Sequence, residues 1–531
     1  MFSVAVVLNV VLLFFGVKGS SLCTSLTTNF TFMGSFSVPS PAFLTVAPSS
    51  DGADALYISQ FFVNPFKPGK NGEKGGTSSF ALYLALSISF SLSLPLTHSL
   101  YSSISISPSM HLSLSKGLCV FLSLSLYPFP SHSYPLFHLC PLLPFSLLAL
   151  SACSPLFSFL FITIPLSYQY IHLYMPPGSV SIVPDLKESW KNISNIKAKE
   201  LFEYVWPNLV SPVPQSVFQR NNLFTVAGGF LVPGKSTGAI SIFDMSALPP
   251  SLHKLSTDLS GHFYHEAAWW DVDGDGHLDL LSARASKPVV GPSTGSLQWF
   301  RNPGSLSQPW VQQELFSGPD VFFRLFDLHG DGHMAIVAAE FFSSKLSLFL
   351  CERVGHCSIP SSWTEYVIDA TIGPPFDVRI ADLNLDGHLE LLVTNHVDNE
   401  SLAGVFVYEI PDPITPTSVW LRHTVAQGFR VLVPGPNQAA PGDAQIFTPR
   451  TPWPYRPWII LSGDGAAQAY VLRPRHEDPR SWDYDCTVLV STKNHGTVGG
   501  LAVTDVEGDG TADIFVPDYD HSLIYVFSFD K

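Results

Sequence analysis

Charged residues, and basic ones above all, are scarce in this sequence. Charged residues make up only 13% of the 531 residues, and 28 Lys and Arg stand against 43 Asp and Glu. The formal net charge is therefore −15. Proteins that bind nucleic acid neutralise phosphates with an excess of Lys and Arg. The charge balance thus excludes nucleic acid as a partner.

Motifs of the common catalytic classes are absent as well. The sequence has no G-x-S-x-G nucleophile turn, no H-E-x-x-H helix and no phosphate-binding glycine loop between a strand and a helix. The glycine-rich stretches VAGGF and VGGLA lie in strand-like runs, where glycine permits close backbone approach. Abundant Gly (37), Pro (44) and aromatic residues (13%) favour a turn-rich, all-β protein.

The first residues predict secretion. Residues 1–19 form an apolar run that ends in small residues, which is typical of a signal peptide, although the run lacks Lys and Arg before its apolar part. A membrane anchor is the alternative, but we expect a secreted, extracellular product. Sequons at Asn29, Asn192 and Asn399 are compatible with a glycoprotein.

Seven cysteines are an odd number for a secreted protein. Three of them lie in the biased segment described next. The other four allow two disulfides, Cys351 with Cys357 and Cys23 with Cys486, and free buried cysteines are the alternative. The second pair would tie the N-terminal part of the chain to its last part.

A segment rich in Ser, Leu, Phe and Pro interrupts the chain at residues 70–178. From Gly76 to Pro184 the only charged residue is Lys116. Codons made only of pyrimidines can encode all four abundant residues, so the segment resembles a translated retained intron. A genuine low-complexity insertion and a membrane span are the alternatives, but prolines and the lack of flanking Lys and Arg make a membrane span improbable. Joining residues 20–69 to 179–531 restores a strand–loop–strand pattern like that at Leu223–Asp244.

Four stretches share an Asp-rich pattern: WWDVDGDGHLDLLSA, LFDLHGDGHMAIVAA, IADLNLDGHLELLVT and VTDVEGDGTADIFVP. Their first Asp residues, Asp271, Asp327, Asp382 and Asp505, are separated by 56, 55 and 123 residues, so the last gap has room for one unmarked repeat. A period near 55 suits one four-stranded blade of a β-propeller. Counting blades along the chain gives seven, with six or eight as alternatives, and the strand near Phe30–Val38 would complete the last blade.

The Asp spacing indicates calcium. Side chains at positions 1, 3 and 5 of a tight loop converge, Gly at position 6 permits the turn, and a carbonyl at 7 and a carboxylate at 9 can complete an oxygen cage. The predicted ligands of three loops are Asp271, Asp273, Asp275, His277 and Asp279; Asp382, Asn384, Asp386, His388 and Glu390; and Asp505, Glu507, Asp509, Thr511 and Asp513. The loop with Asp327 and Asp331 has His329 at position 3 and Ala335 at position 9, so we expect weak or no binding there.

An EF-hand is excluded by the same stretches. That motif requires flanking helices and Glu at position 12. Position 12 is instead Ser282, Ala338, Val393 or Val516, and the flanks are short β-rich runs.

The stretch DVDGDGHLDLL followed by GSLQWFRNPG resembles FG-GAP/VCBS repeats and is similar to the N-terminal β-propeller of integrin α-subunits. The resemblance covers most of the chain outside the signal peptide and the 70–178 segment. It implies an all-β, seven-bladed propeller of four-stranded antiparallel blades with extracellular, calcium-stabilised loops. It does not imply an integrin-like receptor, nor any particular activity.

The strand before each Asp loop is predicted to line the central channel, because its residues alternate between an apolar face and a face that carries charges. This places His262, His265, Glu266, Arg324 and Arg379 in one region. A His could act there as a general base on a sugar-like substrate, with the two Arg holding an anion. Alternatively, the charges form a salt-bridged plug, or a ligand-binding mouth without catalysis.

Together these features favour a secreted calcium-binding propeller that binds an extracellular protein or glycan, with no nucleic-acid or membrane partner and an oligomeric state that the sequence leaves open. The alternative is a carbohydrate-active enzyme, a polysaccharide lyase or sugar dehydratase, with its site at the channel mouth. The sequence names no ligand.

The segment 70–178 can be tested directly. We expect RNA reads and tryptic peptides that join Gly69 to Ser179, because the composition between them is that of noncoding pyrimidine tracts. Peptides from within the segment would refute the retained-intron hypothesis.

Overall fold

A computed structural model shows a ring of seven β-sheets. It describes residues 23–25, 29–48, 53–61, 81–82, 103–106, 110–115, 119–124, 171–172 and 178–530, except 230–237, 258–260, 289–290, 329, 331, 333, 354 and 436–437. The predicted signal peptide, and most of the segment 70–178, lie outside the described residues. Both stay predictions.

Two compact units make up the chain, residues 1–82 with 171–531, and residues 83–170. The described part of the second unit is one antiparallel three-stranded sheet, with strands Ser103–Ile106, Met110–Ser115 and Cys119–Leu124. The first unit contains the seven blades and a short pair of strands, Ala81–Leu82 and Ile171–His172.

Each blade has four antiparallel strands, which we call first to fourth from the ring axis outward. Blade 1 contains Pro41–Pro48, Asp54–Gln60, Ser179–Val183 and Lys199–Glu203. Blade 2 contains Pro207–Pro212, Leu223–Gly228, Ala239–Asp244 and Ser251–Lys254. Blade 3 contains Phe263–Trp270, Asp279–Ser286, Thr294–Arg301 and Val311–Ser317. Blade 4 contains Phe322–Asp327, Met334–Glu340, Lys345–Cys351 and Trp363–Asp369.

The last three blades follow the same order. Blade 5 contains Pro375–Ala381, Glu390–Val397, Gly404–Glu409 and Leu421–Gln427, with the two-residue strand Ala440–Pro441 pairing beside its second strand. Blade 6 contains Ala444–Phe447, Trp458–Leu461, Gln468–Pro474 and Tyr484–Ser491, with Thr24–Ser25 added in parallel. Blade 7 contains Ala502–Thr504, Asp513–Asp518, Leu523–Phe529 and the N-terminal strand Phe30–Ser37. The prediction of seven four-stranded blades is confirmed.

Helices are few and short in the described residues. Two single-turn α-helices span Leu186–Trp190 and Gln215–Phe218, and 3-10 turns span Ile193–Asn195 and Pro360–Ser362. Asp185 caps the first helix, since its side chain accepts a hydrogen bond from the Glu188 amide at 3.0 Å. All four lie in loops and leave the all-β character unchanged.

Two contacts close the ring. The N-terminal strand pairs with the third strand of blade 7, from Phe30 opposite Phe529 to Ser37 opposite Leu523. The Gly500 amide of blade 7 donates to the Ala42 carbonyl of blade 1 at 2.8 Å. A Cβ on the neighbouring Gly499 would lie 2.0 Å from that carbonyl, so only glycine fits there. This confirms the close backbone approach predicted for VGGLA.

Both predicted disulfide pairings are present, and one of them adds to the closure. Cys23 is bonded to Cys486 across 463 residues of sequence, and Cys351 is bonded to Cys357 across 6. The first links the segment before the N-terminal strand to the fourth strand of blade 6. Both ends of the chain are therefore anchored to the last two blades.

Apolar side chains from neighbouring sheets fill the space between blades. Between blades 4 and 5, for example, Val337 and Leu348 pack with Val393 and Phe406, all fully or almost fully buried. Burial of each such side chain stabilises the fold by roughly 1.5–3 kcal/mol. Because the blades pack on both faces, inner strands such as Met334–Glu340 and Lys345–Cys351 are buried along most of their length. This packing between blades keeps the first strands together at the axis.

One buried arginine links blades 5 and 6. Arg456 is 1% exposed, and its guanidinium donates to the Leu383 carbonyl at 3.1 Å and to the Ser481 carbonyl at 2.6 Å. It also lies over the rings of Trp482 and Tyr484 at 5.3 and 5.5 Å from their centroids. The loop before the second strand of blade 6 is thereby attached to the Asp loop of blade 5.

Replacing Arg456 by Met should destabilise the protein strongly. The substitution leaves several buried carbonyls without their donor, so we expect a loss of about 3–5 kcal/mol in the free energy of unfolding. Urea denaturation measures it. The matched control is Arg480→Met: Arg480 is 88% exposed and pairs with Asp478 on the surface, so this substitution should leave the free energy of unfolding nearly unchanged. Equal effects of the two substitutions would contradict the role assigned to Arg456.

Candidate functional site

The Asp-rich loops connect first to second strands. They occur in blades 3, 4, 5 and 7, and each follows a strand that runs along the ring axis. Since strands alternate in direction within a blade, all these loops lie at the same end of the propeller. We call it the Asp-loop end.

The loop of blade 3 is folded around Asp271. One carboxylate oxygen of Asp271 accepts hydrogen bonds from the amides of Gly274 (2.8 Å) and Asp275 (3.1 Å), and the other accepts one from Gly276 (2.9 Å). Carboxylate oxygens of Asp271, Asp273 and Asp275 lie within 4.8 Å of one another. Positions 1, 3 and 5 therefore converge, as the spacing predicts.

A side-chain cation already contacts this cluster. The Arg301 guanidinium lies 2.7 Å from Asp273 and 3.3 Å from Asp275, and half of the Arg301 side chain is exposed. The two carboxylates raise the pKa of Arg301, chiefly through the charge of Asp273. The cluster thus attracts positive charge, and a metal ion entering it would compete with Arg301.

The loop of blade 5 has the same turn. Asp382 accepts from the amides of Asp386 (3.1 Å) and Gly387 (3.0 Å), and oxygens of Asp382, Asp386 and Glu390 lie within 4.8 Å of one another. Its position 4 is Leu385 at φ 62°, where the other three loops have glycine. A leucine in the left-handed region is strained, so the surrounding hydrogen bonds must hold the loop in shape.

The loops of blades 7 and 4 keep hydrogen bonds of this turn but show no acidic cluster among the described residues. Asp505 accepts from the amides of Gly508 and Gly510, both at 2.7 Å, so blade 7 has the same turn. Among the described residues, however, no three acidic oxygens of the 505–513 loop lie within 4.8 Å of one another. In blade 4, Gly332 donates to Asp327 at 2.8 Å, while Asp331 lies outside the described residues.

The acidic residue at position 9 closes each of the three predicted metal loops at its base. Its carboxylate accepts a hydrogen bond from the amide at position 2: Asp279 from Val272 (3.2 Å), Glu390 from Leu383 (2.8 Å) and Asp513 from Val506 (2.9 Å). Burial raises the pKa of Asp279 and Asp513 to about 6 and that of Glu390 to about 7. A bound cation would favour the ionised form of all three.

The channel charges form one continuous chain of ion pairs. Arg324 lies 2.7 Å from Glu266 and 3.1 Å from Asp377, and Arg379 lies 2.8 Å from both Asp377 and Asp443. The chain crosses blades 3 to 6, and each member is at or next to a first strand. The predicted residues Glu266, Arg324 and Arg379 are thus brought together, in the paired arrangement of the plug.

The two aspartates of the chain have opposite pKa shifts. Burial alone would raise the pKa of Asp377, but the charges of Arg379 and Arg324 outweigh it, so the pKa is lowered. Burial and the nearby charge of Asp377 raise the pKa of Asp443 well above its usual range. Asp377 is therefore the ionised partner of both arginines, and Asp443 favours the protonated form.

The two predicted histidines occupy different environments. His265 is 1% exposed, with the Phe322 ring 4.6 Å and the Phe43 ring 5.9 Å from its own, centroid to centroid. Burial lowers its pKa to about 3, which makes the imidazole a weak base at neutral pH. His262 lies just before the first strand of blade 3, and its carbonyl accepts from the Gly238 amide at 2.8 Å.

Asp377 and Asp443 were not among the predicted site residues. Asp377 belongs to the charged face of its strand, but nothing in the sequence around it indicates that it pairs with two arginines. Asp443 precedes the first strand of blade 6, the repeat without an Asp loop, so no motif fixes its alignment with the other blades. A search for one charged residue near the start of every first strand would have found both.

No helix among the described residues is sufficiently long and apolar to span a bilayer. Residues 271–338 match the family of FG-GAP-like repeats, and no curated protein matches the chain.

Three solved structures illustrate how distant the similar folds are. An α-L-arabinofuranosidase from Fusarium graminearum, solved with an iminosugar inhibitor, is 11% identical with a TM-score of 0.35, over 61% of this chain and 93% of that one. A glucose dehydrogenase is 10% identical with a TM-score of 0.35, over 63% and 98%. An α-L-arabinofuranosidase from Podospora anserina is 9% identical with a TM-score of 0.28, over 50% and 90%. Likenesses this distant say nothing of activity.

Substitution of the two channel aspartates by Asn should have unequal effects. Asp377→Asn removes the charge that neutralises Arg324 and Arg379, so we expect a loss of about 3–5 kcal/mol in the free energy of unfolding. Asp443→Asn should cost less than about 1 kcal/mol, because an amide resembles a protonated carboxyl and its oxygen can still accept from Arg379. Urea denaturation at neutral pH measures both. A larger loss for Asp443→Asn than for Asp377→Asn would show that Asp443, and not Asp377, is the ionised aspartate.

Proposed function

We propose that this FG-GAP-repeat propeller is a secreted binding module whose Asp loops take up Ca²⁺ and whose ligand is an extracellular protein or glycan. The observation that carries the proposal is the convergence of acidic oxygens in the loops of blades 3 and 5. Both turns are closed by backbone amides that donate hydrogen bonds to the carboxylates of Asp271 and Asp382. The similarity to integrin α-subunits remains a prediction from the sequence.

The donor chemistry favours calcium over softer metals. Carboxylate, amide and carbonyl oxygens suit hard cations, whereas copper and structural zinc sites use thiolate or imidazole nitrogen. In blade 3 the candidates are Asp271, Asp273 and Asp275, and in blade 5 they are Asp382, Asp386 and Glu390. The remaining predicted ligands are Asp279 with the carbonyl of His277, Asn384 with the carbonyl of His388, and Asp505, Glu507, Asp509, Asp513 with the carbonyl of Thr511. A bound cation would neutralise carboxylates that otherwise repel one another.

Two disulfides support an extracellular location, because such bonds persist in oxidising compartments. Two of the three sequon asparagines, Asn192 and Asn399, are exposed and thus available for glycosylation. These observations fit a secreted glycoprotein.

The channel supports binding more than catalysis. Arg324 and Arg379 are each engaged by two carboxylates, and His265 is covered by aromatic rings. One observation favours the alternative of a carbohydrate-active enzyme: Asp377 and Asp443 form a carboxyl pair with opposite pKa shifts, as acid–base pairs often do. That alternative would be established if the protein turns over a bound sugar and Asp443→Asn abolishes this turnover.

Removal of calcium should lower the melting temperature. A ligand that binds only the folded state stabilises it by about 2.7 kcal/mol at a concentration one hundred times its Kd. We therefore expect EDTA to lower the Tm by several degrees and added Ca²⁺ to restore it, as measured by calorimetry on the full chain.

The loop variants make this test specific. Asp271→Asn and Asp382→Asn should each reduce the calcium-induced rise in Tm, whereas Asp327→Asn, in the loop expected to bind weakly, should leave it unchanged. A Tm that does not respond to EDTA would refute the calcium sites.

A further inference from the structure

A polar cleft of about 530 Å³ lies between blades 5 and 6. One wall is the end of the fourth strand of blade 5, including Thr424 and Gln427, and the other wall includes Asp485 and Thr487 from the fourth strand of blade 6. Arg473 and Arg475 project from the end of the third strand of blade 6. Its volume is in the range typical of small-ligand sites, about 300–1,000 Å³.

The cleft carries excess positive charge in an acidic protein. The Arg475 guanidinium lies 2.7 Å from one oxygen of Asp485, and that of Arg473 lies 3.2 Å from the other. One carboxylate thus faces two guanidinium groups, in a chain whose net charge is −15. A guanidinium carries five N–H donors, and each ion pair with Asp485 uses one of them.

Both arginines are accessible yet oriented. About half of each side chain is exposed, 49% for Arg473 and 56% for Arg475. Asp485 holds the two guanidinium groups on the same side of the cleft, so a ligand need not order them separately. Planar guanidinium groups match carboxylate and sulfate through paired hydrogen bonds.

The remaining lining favours a saccharide over a peptide. Thr424 adds a hydroxyl, while the Gln427 amide and the Thr487 hydroxyl donate to the Ser401 and Val471 carbonyls and keep oxygens that can accept from sugar hydroxyls. On the blade 6 side an extended peptide could not add to the sheet at Thr487 and Val488, because Thr24–Ser25 already pairs there. The disulfide of Cys486 to Cys23 holds that segment in place.

We infer that this cleft binds an acidic saccharide, with Arg473 and Arg475 holding its carboxylate or sulfate group. The inference rests on the proposed binding function and deepens it, because it names a class of ligand. Asp485 then acts as an internal competitor, since the anion of the ligand replaces part of its pairing with the arginines.

The test is calorimetric titration of the full chain, in calcium-containing buffer, with three disaccharide probes: one sulfated, one containing a uronate and one neutral. We expect binding of at least one acidic probe and none of the neutral one, and the two acidic arms show which anion is preferred. Equal binding of the neutral probe, no binding of either acidic probe, or tighter binding of an acidic hexapeptide would overturn the inference.

Variants of the cleft give effects of opposite sign. Arg473→Gln and Arg475→Gln should each weaken binding of the acidic probe about tenfold, the loss expected for one charge-assisted contact. Asp485→Asn should tighten binding severalfold, because the competing negative charge is gone while the amide oxygen can still accept from a guanidinium and keep it oriented. The matched control is Arg480→Gln, which removes an arginine that is 88% exposed and paired with Asp478 outside the cleft.

The outcomes separate this inference from the proposed function. If Ca²⁺ raises the Tm but no acidic sugar binds, the cleft assignment alone fails. If the Tm shows that an arginine variant does not fold, Asp485→Asn still tests the inference. The inference is contradicted if Asp485→Asn weakens binding of the acidic probe or leaves it unchanged.

Discussion

The pairing of the N-terminal strand with blade 7 is the interaction on which the rest of the structure depends. Without Phe30–Ser37, blade 7 would keep only its three C-terminal strands and expose an open edge. Open edges invite pairing with other chains, and a propeller limits them to the outermost strand of each blade, which in blade 7 is Phe30–Ser37 itself. The Cys23–Cys486 disulfide lies directly before this strand, so the covalent link and the strand pairing act on the same part of the ring.

Closure also determines where the polar groups can go. Each first strand is packed between its neighbours, so a charge on it can meet only water in the channel or a charge from the next blade. The chain resolves this with alternating signs from Glu266 to Arg379, over blades 3 to 5, and Asp443 of blade 6 adds a carboxyl that favours the protonated form. The first strands of blades 3 and 5 lead into Asp loops, in which several acidic side chains lie close together. A first strand of this kind therefore carries paired charges near its start and a cluster of acidic side chains after its end.

Much of the fold could be predicted from the sequence because it repeats. The Asp loops mark four blades, their spacing locates a fifth, and the N-terminal strand and both disulfides follow from counting. The site was predicted less completely. Glu266, Arg324 and Arg379 were found because apolar and charged residues alternate along the first strand of each blade. Asp443, which pairs with Arg379, lies in the repeat that lacks the Asp motif. Arg456 and the cleft between blades 5 and 6 depend on contacts between blades, which no pattern within one repeat records.

Arg301 adds a consequence for how the blade 3 loop binds an ion. Its guanidinium offsets part of the repulsion between Asp273 and Asp275, and backbone amides that donate to Asp271 hold the turn in shape. An incoming ion then meets a prepared cage and has to exchange places with a tethered side chain. Such an exchange lowers the apparent affinity of the site for the ion, because the contacts of Arg301 with Asp273 and Asp275 must be given up when the ion enters.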